Sequence, residues 1–342
     1  MTALEVVRCG PLAALQDAGR PGLARLGIPR SGAMDPRALS LANALVGNAA
    51  GEAAIEMAWT EIELRARGGP ARLAVTGAPA AIRIGGCFVP HHAAFTLEDG
   101  ETVTVARADQ GVFTMLAAAG GFDVAPVLAS RSLYARGGIG GVEGRGLKPG
   151  DMLQLRPEDR APGPLLRAAP VAIDSSAAVL RVVRGPEHPL FTDIAHASLL
   201  GRSYRLGEQS DRMAYRLSGA PLERGRTTEM ISTGTLSGAI QVPPDGQPLV
   251  LMADCQTIGG YPRIAMVIAV DLPLLAQCRP GASIRFDEVD VAQAHRLLRE
   301  AASRPAVTWT WTGPTSAEPS FASLAHACRD HTVDALDPAT WA

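Results

Sequence analysis

The sequence predicts a mainly β protein in which a β-rich unit occurs twice. Three observations carry that expectation. Over residues 55–155, short apolar runs alternate with Gly-rich turns and show little helical periodicity. A Pro-, Ala- and Arg-rich stretch, residues 157–178, then interrupts the pattern like a linker. After it the chain begins again: Leu180-Arg181-Val182-Val183-Arg184-Gly185-Pro186 echoes Leu4-Glu5-Val6-Val7-Arg8-Cys9-Gly10-Pro11.

Residues 4–8 read as a first strand, followed by a loop holding Gln16, Asp17 and Arg20. Asp35-Pro36 is a helix start, with Asp at N-cap and Pro at N1. That helix should run to Val46 and stop at Gly47, with Asn48 in the turn beyond. Strands are expected over 72–76, 81–84, 95–97, 102–106, 112–117 and 152–155, with Glu98-Asp99-Gly100 as a hairpin turn. GIGGVEG at 138–144 resembles a dinucleotide loop, but no helix pattern follows it.

Further echoes keep the same order. Ser210, Met213 and Arg216 match Ser31, Met34 and Arg37, and Thr228-Glu229-Met230 matches Ile55-Glu56-Met57. Residues 279–286 match 148–155 at a shorter offset. Helices are expected over 189–200, stopped by Gly201, and over 272–278, capped by Asp271. Residues 289–303 form an amphipathic helical pattern through Val291, Ala294, Leu297, Leu298 and Ala301. The resulting division is 1–157, a linker at 158–178, 179–288, and a C-terminal helix and extension at 289–342.

Composition removes whole classes of function. With 34 acidic and 32 basic residues and no block of one sign, the chain does not look built for nucleic acid or an anionic membrane. No apolar run approaches the ~18 residues of a spanning helix. The N-terminus enters a strand pattern at once, without a leader, which points to the cytoplasm. The five cysteines are scattered and form no CxxC, so reduced thiols are expected. The only lysine is Lys148, in Leu-Lys-Pro, which excludes a Walker A loop and is a poor setting for Schiff-base or kinase chemistry. Any bound anion must therefore meet arginines, backbone amides or helix N-termini. The histidines show no metal-ligand spacing, and no Gly-x-Ser-x-Gly elbow occurs.

What remains is a set of carboxylates, arginines and amides, concentrated around one stretch. Residues 240–270 read IQVPPDGQPLVLMADCQTIGGYPRIAMVIAV. Two apolar runs, 248–253 and 264–270, are expected as buried strands flanking the polar segment Asp254-Cys255-Gln256-Thr257-Ile258-Gly259-Gly260-Tyr261-Pro262. A polar loop held by rigid flanks suits chemistry, and the same residues also fit a plain hairpin loop. Asp254 follows a buried strand directly, a setting that fits a general base. Gln241, Gln256 and Thr257 offer neutral hydrogen bonds suited to an amide, lactam or ureido group, and Tyr261 adds a hydroxyl and a stacking face. Cys255 is conceivable as a nucleophile and more simply a small core residue. Arg20, Arg37, Arg145 and Arg216 are candidates for an anion site, as is Ser210-Asp211-Arg212; pairing with nearby acids or a helix cap is the plainer alternative for each. Asp35 is counted with them as a substrate contact, and Glu56 and Glu229 fit a shared structural role.

Residues 240–272 also resemble the hallmark of the KipA-like family, known as allophanate hydrolase subunit 2 or the A/B carboxyltransferase domain. QDAGRPG at 16–22, GIPRSGAMD at 27–35, ANALVGN at 42–48, GRGLKPGD at 144–151 and SDRMAYRL at 210–217 match in family order. The resemblance implies two tandem cyclophilin-like β-barrels. It implies ATP-dependent opening of 5-oxoproline to glutamate, with ATP as co-substrate and with two partners, one KipI-like and one of the LamB/YcsF type. Two other activities occur in the family: biotin-dependent carboxyl transfer to urea or another amide, and regulatory binding that antagonises a kinase inhibitor. The chain has no Met-Lys-Met attachment sequence, so carboxyl transfer would need biotin on a separate carrier.

Overall fold

Alternation sets the first strand: in Ala3–Cys9, Leu4 and Val6 are fully buried while Glu5 between them is not. The computed structural model describes residues 1–157, 166–168, 172–225, 230–303 and 308–310. Ala3–Cys9 belongs to a six-stranded sheet ordered Met152–Gln154, Ala3–Cys9, Ile62–Arg67, Thr102–Val105, Ile82–Ile84 and Cys87–Val89. A five-stranded sheet, ordered Ala13–Gln16, Ala54–Ala58, Phe113–Ala118, Ala71–Gly77 and Ala94–Leu97, packs against it. Leu4, Val6, Leu15, Ile55, Leu64, Leu73, Phe95, Val103 and Val105 fill the space between the two sheets.

Asp35-Pro36 starts helix α1, Pro36–Leu45, as expected. The Asp35 carboxylate accepts the Arg37 and Ala38 amides at 3.1 Å each, and Gly47 leaves the helix with φ 80°. Ala38, Leu39, Ala42 and Leu45 pack on Ala74, Met115 and Ala117 of the five-stranded sheet. Glu98-Asp99-Gly100 does turn tightly, but its flanking strands lie in different sheets, so it is a corner and not a hairpin.

Residues 177–288 close into a seven-stranded barrel, ordered Ala177–Arg184, Arg263–Val267, Ala239–Gln241, Leu249–Leu251, Ala214–Ser218, Tyr204–Leu206 and Ser283–Glu288. The mainly β fold read from the sequence is thus present in both halves. One echo fails in topology. Ala3–Cys9 pairs antiparallel with Met152–Gln154, whereas their sequence counterparts Ala177–Arg184 and Ser283–Glu288 pair in parallel. Glu229 lies outside the described residues, as do most of the 158–178 linker and of the stretch after Ser303.

Helix boundaries shift for local reasons. Helix α2 is Asp193–Gly201 instead of 189–200, because Pro189 sits in a separate 3-10 turn and Phe191 is extended; Thr192 then caps α2 through the Ala195 amide at 3.1 Å. Helix α3, Leu272–Ala276, ends before 278. Asp271 does not cap it, because its carboxylate takes the Arg181 backbone amide and guanidinium at 2.5–2.8 Å. Helix α4, Val291–Ser303, keeps its amphipathic pattern but buries none of its residues. Among the described residues, no helix is long and apolar enough to cross a membrane.

The two halves interlock. Met34 and Phe113 from the first half sit in the barrel's core cluster with Val182, Leu217 and Phe286. Gln277 from the barrel donates to Asp35 and to the Phe113 carbonyl, both at 2.9 Å, and accepts the Val112 and Phe113 amides at 2.8 and 3.0 Å. Arg279 donates to the carbonyls of Gly111 and Ala108 at 2.9 and 2.8 Å. This junction positions the motif loops.

Candidate active site at the junction of the halves

Arg212 is the hub of the junction. It lies in the loop before Ala214–Ser218 and reaches across to the first half. Its Nε donates to Asp254 Oδ2 at 2.8 Å and its Nη2 to Asp254 Oδ1 at 3.2 Å. Nη2 also donates to the Gly32 carbonyl at 2.6 Å, and Nη1 pairs with Glu56. Glu56, on Ala54–Ala58, receives the Met34 amide at 2.7 Å on its other oxygen. Burial pushes the Glu56 carboxyl up, against the opposing pull of Arg212 and of the Met34 amide. A guanidinium with planar, pre-set donors can satisfy two carboxylates and a carbonyl at once, which an ammonium could not do in this geometry.

Asp254 is 6% exposed and follows Leu249–Leu251 by a short turn in which its amide donates to the Arg212 carbonyl at 2.8 Å. The loop it opens is not a hairpin. Leu249–Leu251 and Arg263–Val267 each pair with Ala239–Gln241, which lies between them. The loop therefore crosses over that strand, and its middle, Ile258–Gly259, makes a small ribbon with Thr233–Gly234. Gln241 is buried beneath it, donating to the Tyr261 carbonyl at 3.4 Å and accepting Gln256 Nε2 at 3.2 Å. Thr235 holds the other side, through the Gln256 carbonyl at 2.5 Å and the Thr257 carbonyl at 2.9 Å. Gly259 is closely approached: a Cβ there would lie 2.7 Å from Gln241 Nε2, the end of a side chain. Tyr261 is 45% exposed and Ile258 63%. Burial and the neighbouring Asp254 charge push the Cys255 thiol up to about 12, which leaves no thiolate for nucleophilic chemistry.

Next to this loop, the chain folds two first-half segments together. The Arg20 amide donates to the Arg30 carbonyl at 2.8 Å, and the Ser31 amide reaches the barrel at the Ala253 carbonyl, 3.1 Å away. Ser31 has φ 54°, a left-handed conformation unusual for a residue with a side chain. Arg20 is 1% exposed, and its Nη2 donates to the Ser132 carbonyl. Beside it, Asp17 accepts from the Ser130 and Ser132 hydroxyls at 2.7 and 2.5 Å and from the Gly19 and Arg131 amides at 2.7 and 2.5 Å. Burial alone would raise that carboxyl, but these four donors hold it below its ordinary value.

The sequence-selected residues therefore divide. Asp254, Gln256, Thr257, Gln241 and Tyr261 share one loop and its support, with Arg212 and Arg20 at its edge. Asp35 is a helix cap held by Gln277, next to the Met34 whose amide binds Glu56. Arg145 is engaged by both oxygens of Asp151, at 2.8 and 2.9 Å, and by Glu143 at 3.0 Å. Ser210 closes a turn by donating to the Gly207 carbonyl at 2.8 Å and accepting the Arg216 amide at 3.0 Å; Arg216 itself is exposed. Asp211 caps no helix; it accepts the Met213 and Ala214 amides ahead of a strand. Sequence reasoning did not single out Ser31 or Gln277 as functional. The Ser-Gly pair inside GIPRSGAMD was a turn signal for Ser31, while Gln277 carried none.

A mainly β chain with its polar residues gathered at the seam between two halves defines a class seen in known proteins. The chain belongs to the family of the carboxyltransferase domain, subdomain A and B, whose model matches residues 26–288. It is 38% identical over 299 residues to the C subunit of 5-oxoprolinase from Escherichia coli, covering 87% of this chain and 94% of that protein. The corresponding 5-oxoprolinase protein of Haemophilus influenzae is also 38% identical, over 84% of this chain and 92% of that protein. Urea amidolyase of Saccharomyces cerevisiae is 28% identical over 88% of this chain, which spans only 17% of that protein. In the crystal structure of the K. lactis urea amidolyase, the matching region superposes with a TM-score of 0.82 at 26% identity, over 88% of this chain and 19% of that one.

Proposed function

We propose that the chain is one component of an ATP-dependent 5-oxoprolinase, which opens the lactam of 5-oxoproline to glutamate with hydrolysis of ATP. The observation that carries this reading is end-to-end similarity: the match takes in 94% and 92% of two 5-oxoprolinase subunits at 38% identity. The similarity to urea amidolyase reaches only a 17% portion of a much longer protein. In this reading the chain forms the catalytic unit with a KipI-like protein, a LamB/YcsF-type protein is a further subunit, and ATP is a co-substrate in the cytoplasm.

The chemistry asked of this chain is recognition and placement of an inert amide. Gln256, Thr257 and Tyr261 lie half-buried or exposed along the loop and supply donors and acceptors for an N–C=O group, while Gln241 holds Gln256 from below. Asp254 begins with both oxygens on Arg212, and its 3.2 Å bond is the longer of the two. Giving up that bond would free one carboxylate oxygen to orient a lactam N–H or an attacking water. Phosphorylation of the lactam oxygen would activate the carbonyl for ring opening.

The test is 5-oxoproline-dependent ADP release by the chain assembled with its KipI-like and LamB/YcsF-type partners. The complex should turn over, and the isolated chain should be folded and silent. ADP release that ignores 5-oxoproline, paired with carboxyl transfer from carboxybiotin to urea, would move the protein to the urea-carboxylase branch.

A further inference from the structure

We infer that Arg20 forms an oxyanion subsite beside the Asp254 loop, binding the carboxylate of the lactam substrate or a phosphate group through its unused guanidinium donors. This rests on the lactam-opening reading above and adds to it the group that is recognised there.

The observation is a buried guanidinium with too few acceptors. Arg20 is 1% exposed, yet among the described residues nothing accepts from its Nε or its Nη1; only Nη2 is used, by the Ser132 carbonyl. Arginine brings five N–H donors, and leaving a charged group this deep without partners is costly. Burial pushes its pKa down, while the Asp17 and Asp254 charges push it back up. Asp17 accepts from Ser130, Ser132, Gly19 and Arg131 and takes none of the spare donors, meeting Arg20 through its charge alone. Asp254 does not take them either; its oxygens accept from Arg212, and it too acts on Arg20 only through its charge.

The surroundings hold Arg20 rigidly. Gly140 packs so closely that an added Cβ would lie 2.1 Å from the Ser132 carbonyl oxygen and 2.8 Å from Arg20 Nη2. The loop carrying Arg20 is fixed to the Arg30 carbonyl, and a Cβ on Gly19 would lie 2.6 Å from that same oxygen. The following Ser31 is strained at φ 54°, and its buried Oγ likewise has no partner among the described residues. Strain of this kind persists only where the surrounding structure enforces it, and it clusters at binding sites. Its amide, bonded to the Ala253 carbonyl, joins this segment directly to the residue preceding Asp254. A planar donor set fixed beside the loop that would hold a lactam amide suits a carboxylate or phosphate oxygen.

The test uses the assembled complex and measures binding and turnover separately. Calorimetric titrations with 5-oxoproline, inorganic phosphate and the neutral lactam 2-pyrrolidinone are compared for wild type, Arg20→Lys and Arg20→Met. Arg20→Lys keeps the charge in case the apolar variant does not fold. Affinity for at least one anion should fall about ten- to hundredfold in the variants, the scale of a lost charge-assisted hydrogen bond, with 2-pyrrolidinone unaffected. Loss confined to 5-oxoproline, with its KM raised and the KM for ATP unchanged, identifies the substrate carboxylate; loss confined to phosphate, with the KM for ATP raised, identifies a phosphate. Equal anion affinities in wild type and Arg20→Lys would overturn the proposal and leave Arg20 hydrated by water alone, as would an equal loss for 2-pyrrolidinone. If Arg20-dependent anion binding persists in a complex that does not hydrolyse ATP with 5-oxoproline, the subsite stands and the functional reading fails.

Discussion

Two arginines near the same loop, Arg212 half-buried and Arg20 fully buried, are treated in opposite ways. Arg212 meets two carboxylates and a carbonyl, so most of its donors are used within the protein. Arg20 meets one carbonyl and leaves Nε and Nη1 without an acceptor among the described residues. The difference separates a brace from a binding group. A guanidinium saturated by its own fold joins two halves of the molecule, whereas an unsaturated one has donors left for something else.

The largest expected effect follows from removing the brace. Arg212→Met would leave Glu56 and Asp254 as buried carboxylates without their counter-ion, at about 3–5 kcal/mol of stability. Arg20→Met removes one hydrogen bond and the favourable field on Asp17 and Asp254, and should cost about 1–2 kcal/mol. Chemical denaturation of both variants measures the gap. Equal losses would mean that Arg20 is as fully engaged as Arg212, and the distinction would collapse.

Asp254→Asn comes next. The change is nearly isosteric and keeps one acceptor for Arg212. Turnover in the assembled complex should fall by ~10²-fold or more, the scale of losing a positioned acid–base group. Stability should fall by only about 1–3 kcal/mol, since Glu56 still balances Arg212. Wild-type turnover in a correctly assembled variant, with the same melting loss, would assign Asp254 to the brace alone.

Much of this arrangement was legible in the sequence, for reasons that are local. Asp35-Pro36 fixes a helix start wherever it occurs, and the apolar runs flanking residues 254–262 had to be buried strands. The alternative reading of this polar loop as a plain hairpin fails because Ala239–Gln241, which precedes both flanking strands in the chain, inserts between them. The Arg212–Glu56 pair spans 156 positions and leaves no periodic trace, so Glu56 could be read as structural but not assigned a partner. Arg20 was a candidate by residue type and motif; its unused donors are a property of depth and geometry that no spacing encodes.

The two sides should also titrate in opposite senses. The folded-state pKa of Asp17 is depressed, so its contribution is full above the ordinary aspartate value of about 3.9 and is lost as pH falls through the lower folded value. The folded-state pKa of Glu56 is raised, so stability falls as pH rises from the ordinary glutamate value of about 4.3 through the higher folded one. Melting temperature against pH for Asp17→Asn and Glu56→Gln separates the windows. The first variant should flatten the wild-type decline below the carboxylate range, and the second should flatten a decline above it. A single shared window would show that the two carboxyls titrate as one cluster.

The smallest effect belongs to Gly259→Ala, and it tests how soft the loop is compared with its edge. At Gly140, on the Arg20 side, an added Cβ meets the Ser132 carbonyl oxygen at 2.1 Å, a backbone atom that cannot step aside, and φ is +74°. At Gly259 the Cβ meets Gln241 Nε2 at 2.7 Å and Thr235 Cγ2 at 3.2 Å, both ends of side chains. Gln241 can give way, because its bond to the Tyr261 carbonyl is already long at 3.4 Å. Stability should therefore change by less than about 1 kcal/mol. The displaced Gln241 would carry Gln256 with it through their 3.2 Å hydrogen bond. If Gln256 positions the lactam, kcat/KM for 5-oxoproline should drop by about three- to tenfold while the melting temperature barely moves, because small misplacements are amplified in rate. An unchanged kcat/KM would remove the Gln241–Gln256 pair from the recognition of the amide and leave it as support for the loop.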